Sequence, residues 1–311
     1  MTVPSPGLTP PFPYAGEVAT LTAAVIWACT LSIYRLHGRG VSAVTLNWFK
    51  NTVALFFIGL LAAGRWIAGD GLTWPQTDGM WSWLVLSGVV GFVVSDTALF
   101  AGLRRVGAQL TSALQSLVPP VAALLAWLFM GENLTEWGWW GMGVTLVAVM
   151  GVIRTGPGAQ VAGNRRDWGW GIVWGLVAAV TQAIGFVIAR HALQHVDLLS
   201  VTLVRLAPAV VLLFPLVLVR REDGGLPELT ATPGRLQKLT LAAICGGGIG
   251  LTLLAVGTKY VPVGVTTTLG ATLPIWVIPV SYLLLGERAR PSQLAWTCLA
   301  VFGVALLFVQ G

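Results

Sequence analysis

The 311 residues carry 56% hydrophobic side chains, only 10% charged ones and a mean hydropathy of +0.80. Soluble domains average about 25% charged residues, so an ordinary water-soluble fold is excluded. The net charge of +6 comes from basic residues at the ends of apolar blocks rather than on one face, which points to a lipid bilayer and to no nucleic acid as partner.

The proline-rich N-terminal tail, 1–15, has no Lys or Arg, so no basic signal-peptide region is expected there. Ten apolar blocks follow, at 16–34, 44–63, 81–103, 108–130, 137–153, 168–190, 198–219, 239–257, 263–285 and 292–309. Each is about twenty residues, the length that crosses the hydrocarbon core. Lipid offers no partners to backbone groups, so an all-α polytopic membrane protein with ten transmembrane helices is predicted. Tryptophans gather near the proposed ends (Trp66, Trp74, Trp81, Trp83, Trp137, Trp139, Trp140, Trp168 and Trp170), as interfacial indoles do.

In the first block, Trp27 and Tyr34 either line an apolar cavity or pack against lipid and neighbouring helices. Ionisable groups inside spans are costly and mark function by default. Lys50, about six residues into the second block, and Asp96, about eight residues before Arg104, lie at equal depth from one face at 1.5 Å rise per residue. They are expected to pair, either as a static tie between helices or as a gating and ion-coupling element. A real pair predicts that Asp96→Asn and Lys50→Gln each do more damage than the double change. In the fourth and sixth blocks, Gln115 and Gln182 are polar cavity candidates. Arg205 enters the seventh block from the opposite face with no acid at similar depth; it either binds a substrate carboxylate or snorkels to the interface. In the ninth block Thr267, with Thr266 and Thr268, precedes Pro274, and Trp276 stands beside that proline. Pro119 and Pro274 are candidate bending points.

Cys29, Cys245 and Cys298 have no metal-site spacing, and His191 and His195, four apart, lack a third ligand. Gly246, Gly247, Gly248 and Gly250 lie in an apolar block without a phosphate-loop ending and suit close helix packing. No metal and no cofactor is expected.

Thirteen Lys and Arg fall in odd-numbered loops, against Arg65, Arg190 and Lys259 in the even loops. The positive-inside rule then puts the odd loops in the cytoplasm and both termini outside. Residues 102–134 and 257–289 also align without a gap at an offset of 155. Gly102, Thr111, Pro119, Gly131 and Glu132 match Gly257, Thr266, Pro274, Gly286 and Glu287. The chain thus reads as a five-helix repeat over 16–153, a polar linker over 154–167 and a second repeat over 168–311. An odd helix count inverts the second repeat, the architecture of secondary transporters. Glu132 and Glu287 read as structural anions ahead of the next helix.

The doubled pattern of "RRVGAQLTSALQSLVPPVAALLAWLFMGE" (104–132) and "KYVPVGVTTTLGATLPIWVIPVSYLLLGE" (259–287) resembles the EamA family of the drug/metabolite transporter superfamily. The resemblance covers nearly the whole chain. It implies a ten-helix carrier of small metabolites, often an exporter of amino acids or drugs. Members usually hold both termini in the cytoplasm, the reverse of the charge count here. The expected function is a secondary transporter, monomeric, in a bacterial inner membrane, exporting a small-molecule substrate such as an amino acid by alternating access, with protons as a coupling partner. A passive channel and a membrane-embedded enzyme are the alternatives, the enzyme disfavoured by the lack of convergent catalytic groups.

Overall fold

The computed structural model describes residues 13–69, 71–131, 133–155, 165–193, 196–219, 224–261 and 263–309. Most of the tail 1–15, most of the linker 154–167, Glu132 and His195 lie outside the described residues.

The described residues are helical and contain no strand. In chain order the helices are α1 (Ala15–His37), α2 (Ala43–Ile67), α3 (Asp78–Gln115), α4 (Val118–Met130), α5 (Glu136–Thr155), α6 (Arg165–Leu193), α7 (Leu198–Val219) and α8 (Pro227–Thr230). They continue with α9 (235–260), α10 (Val263–Gly270), α11 (Leu273–Leu285) and α12 (Pro291–Leu306). Eight stretches among the described residues are long and apolar enough to cross a membrane, and α4 and α12 are shorter apolar helices. The chain is a multi-pass membrane protein.

Side chains are distributed as a bilayer demands. Phe129, Leu283 and Val219 are exposed on the outside by 79%, 77% and 83%, while Thr20, Asn47, Asn51, Ser87 and Asp96 are buried inside. Lipid is as apolar as leucine, so helices associate through close backbone packing rather than hydrophobic burial. Small residues accordingly fill the contacts: Ala23, Ala24 and Ala28 are fully buried. A Cβ on Gly246 would stand 2.8 Å from Thr30 and one on Gly247 2.8 Å from Ala54. The glycines of this stretch serve packing, as their apolar surroundings in sequence suggest.

Two irregular segments recur at the offset of 155. Val89–Ser95 inside α3 and Ile244–Gly250 inside α9 are both π-helical. α4 and α11 repeat at the same spacing, and both end on a glycine with positive φ, Gly131 (67°) and Gly286 (68°). Only glycine takes that left-handed cap without steric cost, which explains the glycine of the repeated Gly-Glu pair. α3 is not continuous: Gly107, at φ 83° and ψ 175°, breaks it between the two blocks read from the sequence.

The loops sort into two ends. Ser42 N donates to Gly224 O at 2.8 Å, bringing the α1–α2 and α7–α9 connections together, and within the latter Arg235 faces Glu228 at 3.9 Å. At the other end Arg65 pairs with Asp197 at 2.7 Å and Thr73 Oγ1 accepts from Asp197 N at 2.6 Å, joining the α2–α3 and α6–α7 connections.

Candidate functional site

The buried polar groups converge on the π-helical segment of α3. A π turn leaves backbone carbonyls less tightly engaged than an α turn, and here side chains of α2 take them. Asn47 Nδ2 donates to Phe92 O (2.7 Å), Val93 O (3.4 Å) and Thr97 Oγ1 (2.9 Å). Asn51, one turn on, donates to Asn47 Oδ1 at 2.9 Å. Lys50, from the same helix, reaches Asp96 at the end of the π segment, with Nζ to Oδ2 at 2.5 Å. Equal depth on neighbouring helices therefore does bring the two together. Their side chains are 18% and 11% exposed, so the pair is shielded from water and its geometry is charge-assisted.

Arg205 stands 155 residues after Lys50 and approaches the same segment from α7. Its guanidinium carbon lies 4.9 Å from the Phe92 ring centroid and 5.8 Å from that of Phe186, while Lys50 Nζ lies 5.6 Å from the Phe92 centroid. Both cations thus address one aromatic ring, an arrangement with a favourable cation–π component. No acid pairs with Arg205 among the described residues. Although Arg205 enters from the opposite face, its guanidinium reaches the same ring as Lys50. Counting residues along the axis ignores the length of the side chains, and entry from opposite ends brings both cations to the interior. Arg205 is 6% exposed, and its Nε and Nη2 atoms are buried without a hydrogen-bond partner. The approach of α7 depends on glycine: a Cβ on Gly88 would collide with the Arg205 carbonyl, and one on Gly91 would stand 3.1 Å from Arg205 Nη2.

α6 closes the third side. Ser95 Oγ lies 2.8 Å from Ala178 O and 2.9 Å from Gln182 Oε1, and Ser87 Oγ donates to Gly185 O at 2.7 Å. Trp27, 155 residues before Gln182, makes the matching contact in the other half, donating from Nε1 to Gly246 O at 2.9 Å. Tyr34 is buried, stacks edge-on to Phe100 at 5.1 Å and has an unpartnered hydroxyl.

The remaining candidates sit elsewhere. Gln115 ends α3 with its Nε2 buried and unpartnered. Thr267 lies in α10, where its carbonyl accepts from Ala271 N at 2.9 Å. Trp276 is 37% exposed and bonds Thr272 Oγ1 at 3.1 Å. Pro119 and Pro274 occupy the first turns of α4 and α11, where a missing N–H costs nothing. The break in each span lies just ahead of its proline, between Gln115 and Val118 and between Gly270 and Leu273. Shallow surface hollows, one beside Val265 and Phe308 and one beside Arg165 and Trp170, lie apart from the charged cluster. No group of metal-ligating residues occurs among the described residues.

Sequence reasoning missed Asn47, Asn51, Phe92, Ser95 and Phe186. The i, i+4 asparagines inside an apolar block were a usable signal; the phenylalanines carried none. Glu287 also departs from expectation. It lies four residues before Pro291 opens α12, too far to serve that helix's amides, and instead faces Arg35 at 3.8 Å. Glu132 lies outside the described residues.

A model of the EamA-like transporter family matches the chain twice, over residues 14–154 and 169–309. Two curated relatives come from Synechocystis sp. (strain ATCC 27184 / PCC 6803 / Kazusa). The uncharacterized transporter sll0355 is 30% identical over 173 residues, 51% of this chain and 51% of the relative. The uncharacterized transporter sll1319 is 26% identical over 192 residues, 61% of this chain and 55% of the relative. The chain spans about half the length of the curated relatives it matches. A solved crystal structure of a protein superposes with a TM-score of 0.64 at 19% identity, covering 94% of this chain and 95% of that one, a likeness of fold.

Proposed function

The chain belongs to the EamA-like transporter family, and from that membership we propose that it is a secondary transporter exporting small carboxylate-bearing metabolites, such as amino acids, by alternating access. In this reading the break at Gly107 divides α3 into two spans, and α4 and α11 each complete a span begun before them. With α12 that makes ten spans in two five-helix halves, 16–153 and 168–311, the second inverted, joined by the linker 154–167. The recurrence of the π segments, of α4 and α11, and of Lys50 and Arg205 at one offset supports the doubling. The basic odd loops put both termini outside, and a bacterial inner membrane is the proposed location.

The observation that carries the substrate class is the charge imbalance around Phe92. Two cations, Lys50 and Arg205, flank Phe92, Lys50 holds Asp96 at 2.5 Å, and no acid pairs with Arg205 among the described residues. An unpaired buried guanidinium costs several kcal/mol (roughly, after relaxation), and a substrate carboxylate meeting Arg205 offsets that cost with bidentate geometry. Gln182 and Trp27, at corresponding positions of the two halves, are the proposed polar and aromatic companions; Tyr34, Gln115, Thr267 and Trp276 complete the proposed lining. Lys50 and Asp96 serve gating and proton coupling, because protonating Asp96 frees Lys50. Pro119 and Pro274 mark the spans that bend. One chain contains the whole pathway, so the working unit is a monomer, and no cofactor takes part.

Counterflow in proteoliposomes tests this reading, with a panel of labelled amino acids and related metabolites at two pH values and an Arg205→Gln protein alongside. Saturable exchange that Arg205→Gln abolishes only for carboxylate compounds supports it. Equal exchange by both proteins removes Arg205 from the substrate site, and non-saturable flux identifies a channel.

A further inference from the structure

A second ionic cluster lies at the end of the molecule where the α1–α2 and α7–α9 connections meet, away from Phe92. Arg35 sits in the last turn of α1. Its Nη1 donates to Leu103 O at 3.0 Å and to Arg104 O at 2.5 Å, carbonyls in the turn before the break at Gly107. Its Nε faces Glu287 Oε1 at 3.8 Å. Beyond the break, Gln109 Nε2 donates to Ser281 Oγ at 2.9 Å and to Glu287 O at 3.2 Å. Gly107 itself carries φ 83°, and a Cβ there would stand 3.4 Å from Glu287 Oε1. Three segments, two from the first half of the chain and one from the second, are therefore stitched across one seam.

The seam joins the two halves by helix packing as well as by polar contacts. The Asp96–Gln115 part of α3 packs on α11. Among the described residues the pair at the equivalent positions, Leu251–Tyr260 and α4, makes no comparable contact. The sequence nevertheless repeats both residue types at the offset of 155, with Arg190 for Arg35 and Glu132 for Glu287, as a device used once per half requires.

We infer that Arg35 and Glu287, with Gln109, form a latch that seals the pathway at the odd-loop end, so that this structure is closed there and the latch must open for solute to pass. The latch lies between halves that move relative to each other, which rests on the transporter reading above. Its sealing role has a readout that does not depend on any substrate. Loss of one partner removes a partly shielded ion pair and frees the groups it orders. The closed fraction then falls.

The test uses Ser281, which is fully buried in the seam. Ser281→Cys is made with Cys29, Cys245 and Cys298 replaced by alanine, in lipid nanodiscs where both ends meet the same solution, and labelled with a water-soluble maleimide. Ala68→Cys, in an exposed loop, is the control. Glu287→Gln and Arg35→Gln are each expected to speed labelling of Ser281→Cys roughly three- to tenfold, as loss of about 0.6–1.4 kcal/mol implies, with the double variant no faster than the faster single. The Ala68→Cys control is expected to stay unchanged. Unchanged labelling in Glu287→Gln overturns the latch, as do rate increases that multiply in the double variant. Glu287→Gln is isosteric at a position with a 28% exposed side chain, so it decides the question alone if Arg35→Gln fails to fold. Counterflow without a labelling change refutes the latch and leaves the transporter reading standing; a labelling change without counterflow does the reverse.

Discussion

Replacing Asp96 by asparagine tests whether one carboxylate holds two cations. The substitution keeps the shape of the side chain and removes its charge, leaving Lys50 without its partner at 2.5 Å and, on the shared-carboxylate reading, Arg205 without its counter-charge. Unit charges about 4 Å apart at an effective permittivity near 20 interact by about 4 kcal/mol, and stripping one member from a buried pair costs about 3–5 kcal/mol. Lys50→Gln removes the other member; if Asp96 also holds Arg205, whose guanidinium lies over the Phe92 ring, its cost should be about 1–3 kcal/mol, that of a lost charged hydrogen bond. At about 2 °C per kcal/mol for a chain of this size, scanning in nanodiscs should show Asp96→Asn melting roughly 6–10 °C below the parent. Lys50→Gln should fall by about half as much on the same scale. The double variant should be no worse than Asp96→Asn, because it buries one fewer orphaned cation. Lys50→Gln matching or exceeding Asp96→Asn would refute the shared-carboxylate argument, and strictly additive losses would refute the pairing itself.

Gly88→Ala and Gly185→Ala should each destabilise by about 1–3 kcal/mol through overpacking, since their methyl groups would meet the backbones of Arg205 and of Gly91. Gly59→Ala, with open space around it, should be neutral or stabilising by up to about 1 kcal/mol; thermal scans rank the three. Trp27→Phe removes the bond to Gly246 O and leaves that π-helical carbonyl short of a donor, for an expected loss of about 1–2 kcal/mol in the same assay. Glu287 should make a contribution to stability that depends on pH. Burial pushes its carboxyl above the ordinary value, while Arg35 and Arg39 pull the other way. A carboxyl raised in the folded state favours folding below its ordinary range, and that contribution fades as pH rises through the folded value. Acidification from neutral pH should therefore leave the Glu287 contribution to stability intact or larger. Thermal scans of the parent and Glu287→Gln from neutral to acid pH check this, and a parent that loses stability relative to Glu287→Gln as pH falls would contradict it.

The helices were legible because their apolar blocks match a bilayer's thickness, and the Lys50–Asp96 pair because depth can be counted from flanking arginines. The repeat was legible from Pro119 and Pro274 and from the Gly-Glu pairs. The π segments were not: α and π turns draw on the same apolar and small residues, and only the hydrogen-bond register separates them. The meeting of Arg205 with Lys50 over Phe92 was not legible, because a guanidinium lies several ångströms from the Cα that the count locates. Glu287 was read against its sequence neighbours, whereas its partner, Arg35, stands near the other end of the chain and arrives only when the halves assemble.

The matched π segments carry a consequence for the register of each half. A π turn amounts to one residue inserted into an α-helix, and one residue turns every downstream side chain by about 100°. Deleting a single residue from Val89–Ser95 would restore a regular helix and swing Asp96 off the face it shares with Lys50. Both halves carry the extra residue at the same place. The same deletion in Ile244–Gly250 would turn Leu251 and the residues after it by the same angle, so each half has its helix faces set by one wide turn.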